Sequence, residues 1–235
     1  MNRENLKKYA DEIGVKLDDT ALERFSVYCD FLVEYNKNVN LTAITDPDEI
    51  IIKHFTDSLE ILKYCDIPEG SKIADVGTGA GFPAIPILIA RPDLKFTLIE
   101  ATNKKLVFIE KLLEKLGLSA ELIHMRGEEA GRQEEYREQF DYVTARAVAE
   151  LRTLSEYCLP LVKIGGKMIS LKGSIADEEI SNGKNAIKIL GGKISEKFEF
   201  TLPNGDMRAI IIIEKIKTTA EKYPRASTLI SKKPL

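Results

Sequence analysis

The stretch Lys72-Ile-Ala-Asp75-Val-Gly77-Thr-Gly79-Ala-Gly81-Phe82-Pro83 decides how the rest of the chain is read. A short apolar run passes into three glycines at alternate positions, and helix-like sequence follows. Glycine lets a backbone turn sharply and approach a ligand with no β-carbon in the way. In an open parallel sheet, the crevice beyond the C-terminal strand ends is where a cofactor lies. The spacing is not the dinucleotide pattern G-x-G-x-x-G, because the third glycine comes one residue early. Asp75, two residues before Gly77, adds a carboxylate that reaches the ligand or orients the loop. A tight strand-to-helix turn without a ligand uses the same glycines. The presence of Gly77, Gly79 and Gly81 with two acids, Asp75 and Glu100, in the right element order favours a cofactor site.

Working outward, the sequence from residue 71 alternates short apolar runs with amphipathic segments. Strands are expected at 72–76, 95–100, 120–125, 142–145, 167–171, 193–201 and 208–215. The clearest helix carries Leu106, Ile109, Leu113 and Leu116 in register and stops at Gly117. Such alternation predicts an α/β fold, a mostly parallel seven-stranded sheet with helices on both faces. The last two strands have no helix between them, and Pro203-Asn-Gly-Asp206 reads as a hairpin turn, so the sheet is expected to end in an antiparallel pair. Residues 1–65 read as helices: Leu6, Tyr9, Ala10 and Ile13 keep helical spacing, as do Leu22, Phe25, Cys29 and Leu32. A third helix is expected to open at Asp46-Pro47-Asp48-Glu49 and run to about Tyr64. The expected organisation is a helical region over 1–68, a Rossmann-like domain over 69–217 and a basic tail over 218–235.

The glycine pattern suits S-adenosylmethionine better than a dinucleotide. A pyrophosphate needs a helix N-terminus aimed at it, whereas S-adenosylmethionine has no phosphate and leaves the glycines to close approach. Glu100, at the end of the second strand, is placed to accept both ribose hydroxyls, or else opens the next helix. Gly127 and Glu128, after the third strand, are placed to meet an adenine edge, though a solvated first helical turn explains them nearly as well. Arg146 ends the fourth strand among small residues, where the transferred group meets its acceptor in this architecture.

Composition narrows the class. With 235 residues, 44% hydrophobic and 30% charged, the chain has the profile of one large globular domain and not of a disordered or disulfide-dense protein. No apolar window is long enough for a membrane span, and no leader is read at the start, so a cytoplasmic location is expected. Three cysteines without a Cys-x-x-Cys pair, and only His54 and His124, argue against a metal centre. The net charge of −3 argues against a cationic coat for nucleic acid. Yet the last 21 residues carry Lys215, Lys217, Lys222, Arg225, Lys232 and Lys233 against Glu221 alone. They form either a solvated end or an arm that contacts phosphate.

What is missing bears on the chemistry. Methylation at C5 of a pyrimidine uses a cysteine nucleophile, and no Pro-Cys pair exists. Cys158 reads as a small core residue. The Asp/Asn-Pro-Pro-aromatic motif of amino-methylating enzymes is absent, with Arg146 in its place. Guanine N7 carries no proton and attacks a sulfonium methyl directly, so alignment and electrostatics suffice and no catalytic acid or base is required.

With those residues in hand, the chain resembles the bacterial small-subunit ribosomal RNA guanine-N7 methyltransferase family, RsmG or GidB. The matching segments are Asn36-Lys-Asn-Val-Asn40-Leu-Thr42, His54-Phe-Thr-Asp-Ser-Leu59, 75–83, Arg126 to Glu128, Phe140-Asp-Tyr-Val-Thr-Ala-Arg146-Ala147, 159–166, Leu171-Lys172-Gly173 and Tyr223-Pro-Arg225. The resemblance implies a class I S-adenosylmethionine-dependent methyltransferase acting on N7 of a guanine in the 530 loop of 16S ribosomal RNA. The substrate is the RNA itself or the small ribosomal subunit. It implies that Gly77, Phe82, Gly127, Glu128 and Arg146 contact the cofactor. Tyr35, Thr78 and Ala84 stand where the family often has tryptophan, serine and glycine. His54, Asp57 and Ser58 share a helix face at i, i+3 and i+4, either as a polar cluster over the crevice or as packing bonds. Asn40, His54, Lys172 and Arg225 are the expected RNA contacts. A nicotinamide-dependent oxidoreductase and a non-catalytic RNA-binding module are the competing readings.

Overall fold

A computed structural model describes residues 1–174 and 176–235. Helices form where the helical spacing ends on caps. In α1 (Arg3–Glu12) Asn2 accepts from the Asn5 amide, and in α2 (Asp19–Asn36) Asp18 accepts from the Ala21 amide at 2.7 Å. The expected third helix is in three pieces. A short α3 (Pro47–Ile50) capped by Asp46 passes into a π-helical stretch, Ile51–Thr56, and then into α4 (Asp57–Tyr64). The widened turn changes which side chains share a face. Ser58 turns back to its own helix, donating to the His54 carbonyl at 2.6 Å, while His54 and Asp57 point inward.

The sheet contains β1 (Lys72–Val76), β2 (Lys95–Glu100), β3 (Glu121–His124), β4 (Phe140–Arg146), β5 (Val162–Lys172), β6 (Gly192–Thr201) and β7 (Met207–Lys215). Between them lie α5 (Ala84–Ala90), α6 (Asn103–Leu116), α7 (Gly127–Ala130), α8 (Leu151–Cys158) and α9 (Ala176–Ile189). Gly117 caps α6 at φ 61°, the left-handed conformation that stops a helix. The spatial order is β3-β2-β1-β4-β5-β7-β6. β1 to β5 pair in parallel, and β7 is antiparallel to both β5 and β6. The expected antiparallel pair therefore ends the sheet, with β7 slotted inside β6. The hairpin closes through a Gly205 amide bond to the Leu202 carbonyl at 2.8 Å. The strand order reverses beside β1, and a crevice opens there between the C-terminal ends of β1 and β4.

Apolar side chains of α1, α2 and α4 join α5 and α6 in one core, with Leu6, Phe25, Phe55, Ile85 and Phe108 fully buried. The N-terminal helices thus cover one sheet face. The Tyr28 hydroxyl ties them to the glycine loop by donating to the Ala80 carbonyl at 2.5 Å. A second core under α8 and α9 fills the opposite face.

The C-terminal segment departs from the expectation of a solvated basic end. Lys215 is fully buried, bonded to the Leu159 carbonyl and 3.0 Å from Glu138. Arg137 donates to the Thr219 and Tyr223 carbonyls, and Arg132 to the Pro224 carbonyl at 2.8 Å. Arg225 grips the fully buried Glu156 at 2.6 Å. The chain then ends on α10 (Ser227–Lys232), whose Ile230 is buried. Charge counting along a sequence does not reveal that two of these cations face inward carboxylates.

Candidate active site

β1 delivers Asp75 and Val76 to the crevice, and the loop leaves with Gly77, Gly79 and Gly81 at φ 68°, 62° and 98°. Only glycine adopts these angles without strain. Bonds to the neighbouring strand fix the loop: the Gly77 amide donates to the Ile99 carbonyl at 2.8 Å, and the Gly79 amide to Glu100 Oε2 at 3.0 Å. Glu100 Oε1 accepts from the Thr102 amide at 2.8 Å. The carboxylate at the end of β2 is therefore aimed and held before any ligand arrives.

A cavity of about 370 Å³ lies over these strand ends, lined among others by Gly77, Glu100, Met125, Gly127, Glu128 and Tyr157. Gly127 is required by contact and not by conformation: a β-carbon there meets Val76 Cγ1 at 2.7 Å and Tyr157 Cβ at 3.3 Å. Gly77 likewise lies against Val148 Cγ2, 2.8 Å from where a β-carbon would be. Glu128 is buried on the cavity wall, and its Oε1 has no hydrogen-bond partner. A buried orphan carboxylate oxygen is costly unless a ligand donor meets it. Below the loop, Asp75 is fully buried; Oδ1 accepts from the Thr144 hydroxyl at 2.7 Å and Oδ2 has no partner. Burial pushes its carboxyl up to about 7.

A second cavity, about 690 Å³, opens on the other side of the β4 end. Its floor is a cation cluster. Arg146 Nη1 donates to Asp57 Oδ2 at 2.9 Å and to the Lys53 carbonyl at 3.2 Å, and its guanidinium stands 4.8 Å from the Phe82 ring centroid. Nη2 lies 3.2 Å from His54 Nδ1, and the imidazole stacks on Phe82 at 4.4 Å. Nδ1 also lies 3.1 Å from the Lys53 carbonyl, and the other ring nitrogen, Nε2, lies 2.9 Å from the Thr42 hydroxyl. Burial, with the Arg146 charge second, pulls His54 down to about 3 and keeps it neutral. The loop that brings Thr42 here is folded by Asn36, which accepts from the Leu41 and Thr42 amides and donates to the Thr42 carbonyl. Arg208 joins from β7, with Nε 3.5 Å from Asp57 Oδ1.

The expected residues thus fall into separate places. Gly77, Glu100, Gly127 and Glu128 line the first cavity, while Asp75, Gly79 and Gly81 build the loop beneath it. A β-carbon on Gly79 would meet no protein atom closer than the Gly77 carbonyl at 3.8 Å, so within the protein its requirement is the left-handed backbone. Arg146 and His54 line the second cavity, and Phe82 packs against both without lining it. Asn40 is exposed on the 36–42 loop. Lys172 lines the second cavity but is buried, with Nζ 2.6 Å from both Glu179 Oε2 and the Ala149 carbonyl. Arg225 lies apart, on Glu156. Two of the four expected RNA contacts therefore already have intramolecular carboxylate partners. Arg208, Glu179, Val148 and Tyr157 also stand at these cavities without a motif to mark them. Only the pairing of β7 with β5 brings Arg208 to Asp57, and no local pattern announces it.

Among the described residues no group of His, Cys, Asp and Glu is arranged to hold a metal, and no helix is long and apolar enough to cross a membrane. The solved structure of an S-adenosylmethionine-dependent O-methyltransferase from Thermotoga maritima superposes with a TM-score of 0.53 at 17% identity, covering 80% of this chain and 73% of that one. At that identity the likeness is one of fold, the class I methyltransferase architecture. Sequence relatives are far nearer. A ribosomal RNA small subunit methyltransferase G from Lactobacillus johnsonii is 46% identical over 239 residues, spanning 100% of both chains. One from Alkaliphilus metalliredigens is 47% identical over 98% of this chain and 97% of its own. The model of the GidB family, rRNA small subunit methyltransferase G, matches residues 21–204. With the crevice, the glycine loop and Arg146 all inside that span, the chain belongs to the GidB family of ribosomal RNA small subunit methyltransferases.

Proposed function

We propose that this protein transfers a methyl group from S-adenosylmethionine to N7 of a guanine in the 530 loop of 16S ribosomal RNA. The observation that carries the reading is the pair of cavities at the C-terminal strand ends, which have Ala147 and Val148 in common. The first suits the donor. Glu100 presents a fixed carboxylate to ribose hydroxyls, the unpartnered Glu128 Oε1 awaits an amino donor such as adenine N6, and Gly77 and Gly127 keep the walls free of β-carbons. When bound, S-adenosylmethionine supplies an electrophilic methyl group on a positively charged sulfur.

The second cavity suits the acceptor base. Attack by the N7 lone pair needs no proton removed, so the chain contributes position and field. Arg146 offers a fixed guanidinium whose direction Asp57, Lys53 and His54 set. Its charge is offset by the buried Asp57, and His54 stays neutral, which limits repulsion of the positively charged guanine that forms. Lys53 and Arg208, each about a quarter exposed, stand at this cavity for phosphate or base.

Incubation with labelled donor and either naked 16S ribosomal RNA or assembled small subunits tests the assignment. Label is expected in RNA with at least one of them. Calorimetric binding of NAD with none of S-adenosylmethionine would overturn it in favour of an oxidoreductase, and donor binding without transfer would leave a non-catalytic module.

A further inference from the structure

The segment between the cavities is anchored at both ends by a buried ion pair. On its near side Arg146, the last residue of β4, is held by Asp57 at 2.9 Å. On its far side Lys172 Nζ donates to the Ala149 carbonyl at 2.6 Å, and Glu179 Oε2 accepts from the Leu151 amide at 2.6 Å. Lys172 and Glu179 are themselves paired at 2.6 Å, with side chains only 7% and 10% exposed. Between these anchors Ala147 takes φ 55°, a left-handed conformation that is costly for a residue with a β-carbon. A strained backbone persists where its surroundings over-determine it. Val148 is 37% exposed, yet rests directly against Gly77.

The geometry points to Ala147–Val148 as a rigid partition that sets the distance between donor methyl and acceptor nitrogen, with Lys172 and Glu179 as positioning residues that hold it. This rests on the methyl-transfer reading above. During transfer the S–CH₃ bond breaks as the N7–CH₃ bond forms, with the sulfur keeping the bonding pair, so both ligands must meet at the partition. A misplacement of about 1 Å in such an arrangement costs on the order of a hundredfold in rate. The partition also gives Lys172 a use other than phosphate binding. Its ammonium faces Glu179 and a carbonyl, and no free charge is left for RNA.

Two variants test the inference. Lys172→Met removes the anchor. Ala147→Gly relaxes the strained backbone and removes only one β-methyl, and glycine accepts φ 55° freely, so this variant is expected to fold. The readouts are donor affinity by calorimetry, the salt dependence of RNA binding, thermal stability, and the single-turnover methyl-transfer rate with saturating donor and RNA. Parent protein that transfers no label fails the methyl-transfer reading itself, before any variant is compared. Given an active parent, both variants are expected to keep donor affinity within about threefold and an unchanged salt slope. Their transfer rates are expected to fall about tenfold or more, and Ala147→Gly is expected to be at least as stable as the parent. A parental rate in Ala147→Gly overturns the inference. So does a Lys172→Met whose salt slope flattens while its rate at saturating RNA is kept, because Lys172 would then be a phosphate contact.

Discussion

Acidification should lower the stability of the fold through His54, by an amount that follows from its surroundings. The imidazole stacks on the Phe82 ring beside the Arg146 guanidinium, and burial, with the Arg146 charge second, pulls its pKa from 6.5 to about 3. The folded value is below the unfolded one, so the unfolded chain takes up the proton first. His54 therefore contributes its full stability above about pH 6.5 and loses it as the pH falls towards about 3. At about 1.4 kcal/mol per pH unit, going from pH 7 to pH 4.5 removes about 2–3 kcal/mol through this group. Urea unfolding of the parent and of His54→Asn at the two pH values isolates it. Asparagine offers Arg146 an acceptor near the Nδ1 position and has no proton to take up. The variant loses the stack on Phe82 and is less stable at pH 7. Carboxylates distant from the cluster titrate alike in both proteins and cancel, so the gap should narrow by about 2–3 kcal/mol at pH 4.5. A gap of the same size at both pH values would refute the reasoning.

Asp75 should show the opposite sign: its folded value is raised to about 7 by burial, so the stability it contributes is present at low pH and is lost as the pH rises through that value. Asp75→Asn, which keeps the acceptor for Thr144, is expected to gain on the order of 3 kcal/mol on the parent between pH 5 and pH 8, and equal pH dependence in urea unfolding would contradict the assignment. Gly127→Ala places a β-carbon between Val76 and Tyr157; a loss of about 1–3 kcal/mol of stability is expected together with weaker donor binding by calorimetry, and unchanged donor affinity would remove Gly127 from the site. Arg225→Ala strands the fully buried Glu156 carboxylate, which should cost about 3–5 kcal/mol and expose the last residues to limited proteolysis. Neutralising the exposed Lys222, Lys232 and Lys233 should leave stability near the parent's and flatten the salt dependence of RNA binding; an identical slope would make the segment a structural cover only.

The strands and the glycine turn were legible because each depends on local chemistry. Alternation of apolar runs with amphipathic helices has one economical solution, and the residues after Asp75 need a chain able to turn left-handed at Gly77, Gly79 and Gly81. Glu100 and Gly127 could be placed because the ends of β2 and β3 fix where they lie. The inner position of β7 was not legible, because hairpin signals say which strands are joined and not which edge they add to. Arg208 was missed for that reason. The π-helical turn at Ile51–Thr56 follows from how α3 and α4 seat on the rest of the fold, and helical periodicity does not encode it. Nor does a count of charges distinguish a free lysine from Lys172 or Lys215, each turned inward on a carboxylate outside its own strand.

In this reading the crevice past β1 and β2 presents a donor methyl to the N7 of a ribosomal guanine. Chemical cleavage at N7-methylated guanines in 16S ribosomal RNA, from cells with and without this protein, tests it most directly. One modified guanine in the 530 loop is expected to disappear with the protein and to return with the parent but not with Glu100→Ala. An identical cleavage pattern in both cells, or a lost methyl group at a different atom or base, would contradict it.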